Sequence, residues 1–325
     1  MRITPPNSLI SAQFTQNITE LRQTIARTSQ EAVTGRYSDL TAHLSGRIGT
    51  AMLSQKAVES IDLQRERLTM REGRLDVTQR SLTVIHERLV GLDTEMREAL
   101  GTQDLVAQGL AARDARAAME TVFSAINVRF GDRYLFSGDA TATQPLPSPD
   151  TVLADVRALA DSSATPSDFA AALDTYFNDP AGGWQQTIYG GTAASSDPDA
   201  VNATDPALVQ LISGLSALAI SDPADSPALI RQNPDIVLAG VQRITVGLTQ
   251  LTNLRADRGV IQEQIATQKK TLDIEEGIFT NAFNALTERD QYEAASVLKQ
   301  LESNLEASYL LTSRLSSLSL INYLR

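Results

Sequence analysis

Ile61, Leu68, Leu75, Leu82, Leu89 and Met96 recur at intervals of seven, and Ile85, Leu92 and Ala99 follow the later members by three. An apolar repeat of seven is the seam of one helix lying along another. It runs from about Arg47 to Leu100, and a helix of about 50 residues is roughly 75 Å long, too long for a compact domain. The chain is therefore expected to be mainly α, an elongated antiparallel coiled-coil rod. Gly73 and Gly91 weaken this helix locally, and Gly101 to Gln103 are expected to end it.

The partner of that seam must come from elsewhere in the chain. Helical spacing returns at Pro234, a good first-turn residue, with Val237, Val241, Ile244, Leu248, Leu251, Ile261, Ile265 and Leu272. The sequence thus predicts a helical core of residues 47–138 and 235–288, running out and back. Within it, Asp104 to Phe130 reads as a helix with Met119, Phe123, Ile126 and Phe130 on one face, ended by Gly131. Tyr134 to Phe136 reads as a short strand closed by a Ser137-Gly138 turn.

The two ends carry seams of the same kind. After Pro5 and Pro6, a helix capped by Asn7 or Ser8 should run from near Leu9 to about Thr34, with Ile10, Phe14, Ile18, Leu21, Ile25, Thr28 and Ala32 on its stripe. Gly35 suits the left-handed position past its end, and the polar stretch to Gly46 reads as a loop. At the other end, after a break near Thr287 to Asp290, the stripe is formed by Val297, Leu298, Leu301, Leu305, Thr312 and Leu315. Neither helix can bury its face on itself. Residues 1–46 and 289–325 are accordingly expected to pair as terminal axial helices.

Residues 139–234 differ in character. They hold ten of the twelve prolines and the only tryptophan. Helices are predicted at 151–160, 166–177 and 206–219 and a strand at Trp184 to Tyr189, giving a small α/β outer domain inserted in the middle. Five aromatics between Phe169 and Tyr189 can make a small core; the alternative is a loosely ordered insertion.

Little here points to chemistry. A formal charge of -11 with a pI near 4.8 speaks against a nucleic-acid or anionic-membrane partner, both of which need clustered Lys and Arg. The absence of cysteine removes disulfides and thiolate metal sites. His43 and His86 stand outside any ligand-spaced cluster, and Val90 occupies the place where a zinc-protease motif needs its second histidine. The pairs Gly182-Gly183 and Gly190-Gly191 read as turns rather than a phosphate loop. No catalytic, cofactor or metal site is expected, and no enzyme. A run of about 18 apolar residues is missing, as is a basic, then apolar, signal-peptide pattern at the start, so composition alone would put the chain in the cytoplasm.

Three stretches carry a family resemblance. Residues 292–324, YEAASVLKQLESNLEASYLLTSRLSSLSLINYL, end in Ser319 to Leu324; residues 127–138 read NVRFGDRYLFSG; and residues 30–36 read QEAVTGR. They resemble the terminal regions of the flagellin superfamily, and within it the hook-associated proteins of the hook-filament junction, whose C-terminus is of the Ser-Leu-X-Asn-Tyr-Leu type. The loop Tyr37 to Gly46 departs from the family's usual Asp-Asp loop, and the resemblance covers roughly 1–138 and 235–325.

The resemblance implies an outer domain at 139–234 that varies between members. It also implies export through the flagellum's own type III channel without a cleaved signal, and a place on the bacterial flagellum joining hook to filament. Implied partners are neighbouring copies in a ring, another hook-associated junction protein, flagellin, and a cytoplasmic export chaperone at the C-terminal segment. A filament-forming flagellin and a generic coiled-coil surface or signalling rod are the alternatives. The assembly interface is expected at Ile10, Phe14, Ile18, Leu21 and Ile25 with Leu298, Leu301, Leu305, Leu315, Leu318 and Leu320. Because pairing of seams so far apart in sequence costs loop-closure and ordering entropy, the terminal helices are expected to be poorly ordered in the free monomer and to fold on assembly.

Overall fold

The computed structural model describes the backbone of residues 7–323 and the side chains of 12–314. Among these, helix dominates: α1 (Asn7–Thr34), α2 (Leu40–Leu44), α3 (Ile48–Leu89), α4 (Leu92–Gly101), α5 (Leu105–Ile126), α6 (Pro149–Ser162), α7 (Pro166–Asn178), α8 (Pro206–Ala219), α9 (Ala228–Gln232), α10 (Pro234–Thr287) and α11 (Gln291–Tyr323). The one sheet among the described residues is a hairpin of β1 (Arg129–Phe130) and β2 (Arg133–Tyr134), with Arg129 opposite Tyr134. The mainly-α expectation holds, and α3 and α10 are 42 and 54 residues long.

The chain divides into two compact units, residues 1–65 with 270–325, and residues 66–269. In the second unit the heptad residues Leu75, Leu82, Leu89 and Met96 are buried, as are Val241, Ile244, Leu251 and Ile265 of α10. α3 and α10 run antiparallel here: Lys269 Nζ lies 2.8 Å from Glu72, Gln79 donates to the Arg255 carbonyl at 2.7 Å, and Arg255 donates to Thr83 at 3.0 Å. The expected pairing of N- and C-terminal segments is present.

The predicted helix from 47 to 100 is not continuous. Gly91 adopts φ +95°, a conformation that residues with a Cβ avoid, and α3 stops before it while α4 starts after it. Gly73 is instead absorbed inside α3, where the Phe130 ring would stand about 3.0 Å from any Cβ. Phe130 therefore packs from β1 rather than from a helix, and α5 ends at Ile126. The strand falls at Arg133–Tyr134, ahead of the predicted 134–136, because Gly131 at φ +59° turns the hairpin. Asp104 caps α5 by accepting from the amides of Val106 and Ala107, so the predicted break at 101–103 is where expected.

Residues 139–234 form α6 to α9, with proline in the first turn of α6, α7 and α8. The strand predicted at 184–189 is instead one π-helical turn, Trp184–Ile188, closed by the Tyr189 amide donating to the Trp184 carbonyl at 2.8 Å. That turn puts Trp184 and Ile188 on the inner side, the Trp184 ring 5.4 Å from that of Phe177 between centroids. All five aromatics from Phe169 to Tyr189 are buried, and they belong to one apolar cluster with Phe123 and Ile126 of α5 and Val237 to Leu251 of α10. At the closest crossing, a Cβ on Gly214 of α8 would lie 2.6 Å from the Gly240 carbonyl of α10.

The insert also concentrates the charge. Twelve aspartates against two arginines, with no Glu or Lys, give residues 139–234 a net -10 of the chain's -11. Several of these carboxylates meet arginines of the flanking helices: Asp199 with Arg71, Asp197 with Arg74, Asp222 with Arg113, Asp150 with Arg116 and Asp174 with Arg243. The bidentate Arg71 holds the Asp199 carboxyl below its usual range, more than offsetting its burial.

Candidate assembly interface

The first unit is built differently. Its terminal helices α1 and α11 lie antiparallel, the register being fixed by Arg22 Nε donating to the Tyr309 hydroxyl at 2.8 Å and Gln291 donating to the Val33 carbonyl at 3.3 Å. Phe14, Ile18, Leu21, Ile25 and Ala32 form one row, and Leu298, Leu301 and Leu305 the other; each is only half-buried. Thr28, Glu31 and Ala294, near the inner end of the two rows, are buried. A two-helix seam covers each side chain from one direction, which leaves the rest of its surface open.

The expected assembly residues Phe14, Ile18, Leu21, Ile25, Leu298, Leu301 and Leu305 are thus brought together on one seam. The side chains of Ile10, Leu315, Leu318 and Leu320 lie outside the described residues. Two residues read onto the C-terminal stripe are exposed: Val297, whose direction around the helix departs from the line through Leu298, Leu301 and Leu305, and Thr312, which keeps that direction but lies in the stretch of α11 where all the described side chains are exposed. Beyond Ser308 the described side chains turn outward, with Leu310 65% and Leu311 53% exposed.

A polar clamp locks the inner end of the seam. The turn between α10 and α11 meets the end of α1 through the Arg36–Glu288 bridge, the Arg289 amide donating to the Gly35 carbonyl at 2.9 Å, and the Tyr37 amide donating to the Thr287 carbonyl at 3.3 Å. Gly35 takes φ +65° as expected. The stretch predicted as a loop holds α2, with Asp39 accepting from the Ala42 amide as its cap. Glu31, 7% exposed, is ion-paired with Arg289 and accepts from both the amide and the hydroxyl of Ser38 at 2.9 Å. Arg289 also lies over the Tyr37 ring at 5.4 Å, and Tyr37 stacks on His43 at 3.5 Å.

Burial alone would raise the Glu31 pKa, but the two Ser38 bonds and the Arg289 cation together bring it below its ordinary value. The signal for such a clamp was an acidic residue three positions after Thr28 on an otherwise apolar stripe. A carboxylate there needs a cation. Asp290 completes the turn by accepting from the amides of Tyr292 and Glu293 and so capping α11.

The arrangement suits helix packing. Among the described residues no group of three His, Asp or Glu side chains is placed to hold a metal ion, and no helix is long and apolar enough to cross a membrane.

Residues 241–324 match the family described as the bacterial flagellin C-terminal helical region. The matched stretch takes in most of α10, the clamp turn and α11. Over that stretch, about a quarter of the chain, it is similar to flagellins, which supports membership of the flagellin superfamily and a structural part in the bacterial flagellum. No curated protein matches the chain.

Proposed function

We propose that the chain is a hook-filament junction protein of the kind called hook-associated protein 3, exported by the flagellar type III system and assembled through its terminal helices. The observation that carries the reading is the α1–α11 seam. A matched flagellin C-terminal helix is paired with the N-terminal helix, yet its leucines are only half-buried, so further helices are needed to cover them. Full burial of a leucine stabilises by about 1.5–3 kcal/mol, and repetition around a ring multiplies the gain. The sequence Ser319 to Leu324 supports the junction position over the filament subunit. Neighbouring copies, another junction protein and flagellin are the axial partners, and an export chaperone takes the C-terminal segment before assembly.

Deleting the gene tests the reading. Hooks without filaments, with flagellin secreted as monomer, are expected; loss of the main filament protein itself would instead make the chain a flagellin. Leu301→Asp with Leu305→Asp should give a folded, exported subunit that leaks into the medium. Deletion of residues 150–225 that abolished filaments while those substitutions did not would remove the terminal helices from this role. The proposal includes ordering of α1 and α11 on assembly, which strong amide protection across 292–318 in free monomer would contradict.

A further inference from the structure

Two surfaces outside the terminal seam expose apolar side chains of opposite electrostatic setting. The first lies early in α3, where Met52 and Leu53 are 59% and 70% exposed. Lys56 stands one turn further on the same face, and Arg47 precedes the helix; both are exposed and form no ion pair among the described residues. The second is the groove between α4 and α5, of about 750 Å³, floored by Ala99, Ala107 and Ala111 and rimmed by Glu95, Glu98 and Asp114. Leu110 on its α5 side stands 59% exposed, and Arg113, which also lines it, is ion-paired with Asp222. Asp114 is held by Arg88, whereas Glu95 and Glu98 form no ion pair among the described residues.

We infer that the Met52–Leu53 face of one copy docks into the α4–α5 groove of a neighbouring copy, with Lys56 and Arg47 against Glu95 and Glu98. The inference rests on the assembly reading above and adds to it a pair of surfaces. A second copy is the occupant because the chain itself offers the complement: an apolar pair on a basic helix face for an alanine-floored groove with an acidic rim. The two patches are different, so the contact is heterologous and propagates from copy to copy rather than closing a dimer. Two apolar side chains and two charges bury well under the about 1,200 Å² of a stable complex, so the contact forms only where other contacts hold copies side by side. The rim charges then set register and rate of docking.

The cysteine-free sequence supplies the test. Full-length Leu53→Cys and full-length Ala107→Cys chains are mixed under assembling conditions and oxidised, with sedimentation read in parallel. Mixed disulfide dimers should exceed those of either variant alone. Adding Lys56→Glu and Arg47→Glu should lower their yield about tenfold, the change expected from about 1.4 kcal/mol, and Glu95→Lys with Glu98→Lys on the other chain should restore it. Assembly by sedimentation without the mixed disulfide overturns this contact and leaves the assembly reading standing, another segment or partner then filling the groove. A chain that stays monomeric at every concentration, and with added flagellin, overturns both. Unchanged thermal unfolding of each variant shows that the losses are at the surface.

Discussion

The core of residues 66–269 and the terminal seam of α1 and α11 solve the same problem with different numbers of layers. In the first, Trp184, Phe177, Phe123 and Leu82 are at most 2% exposed, enclosed by helices from several directions. In the second, two helices face each other and the apolar row stays half-open from Phe14 to Leu305. The closed region is self-sufficient. The open one holds its register with a salt bridge and backbone bonds at one end and leaves its apolar surface to be completed by others, which is how a subunit can be stable in one part and assembly-dependent in another.

The largest effect is expected from Trp184→Ala, which should lower the stability of the 66–269 core by about 3–5 kcal/mol. Hydrogen exchange on the assembled protein should show the loss there while amides of 12–32 keep their protection; parallel loss in both would mean that the two regions unfold as one. Glu31→Ala should cost about 1–3 kcal/mol by leaving the half-buried Arg289 without its partner, read as faster exchange around the clamp with the core unmoved.

The same clamp has a sign in pH. Since the folded Glu31 pKa lies below its unfolded value, its contribution is complete above the ordinary carboxylate range of about 4.3 and fades as pH falls through the folded value. Acid should therefore loosen the clamp, and Glu31→Gln should flatten that dependence in an exchange-versus-pH series. Gly214→Ala should cost about 1–3 kcal/mol by forcing α8 from α10, measurable in thermal unfolding. The smallest effect, about 1 kcal/mol, is expected for Asp290→Ala, which removes the α11 cap and should fray 291–294 by exchange.

Much of this contrast was legible in the sequence. The heptads of α3, the periodicity of α10 and the stripes of both ends gave the helices and their pairing, because side-chain direction follows spacing along a helix. The prolines marked the starts of α6, α7 and α8 for a similarly local reason. What escaped was set by tertiary contacts. Trp184 to Tyr189, rich in aromatic and β-branched residues, reads as a strand, but burying both Trp184, against Phe177, and Ile188 requires a wide turn. Gly73 and Gly91 look alike in sequence; Phe130, coming from another element, fills the space beside one, and left-handed backbone is taken by the other. The Glu31–Arg289 pair spans 258 residues, and no local pattern joins them.

The discontinuity of the first unit has a consequence in time. Residues 66–269 are contiguous and can complete their core as soon as they leave the ribosome, but α1 has to wait for α11. At about 5–20 residues per second, the stretch from Thr34 to Leu305 takes roughly 15–50 s to make. Throughout that interval the N-terminal apolar row is synthesised but unpaired, so translation order alone gives any early-binding factor first access to α1.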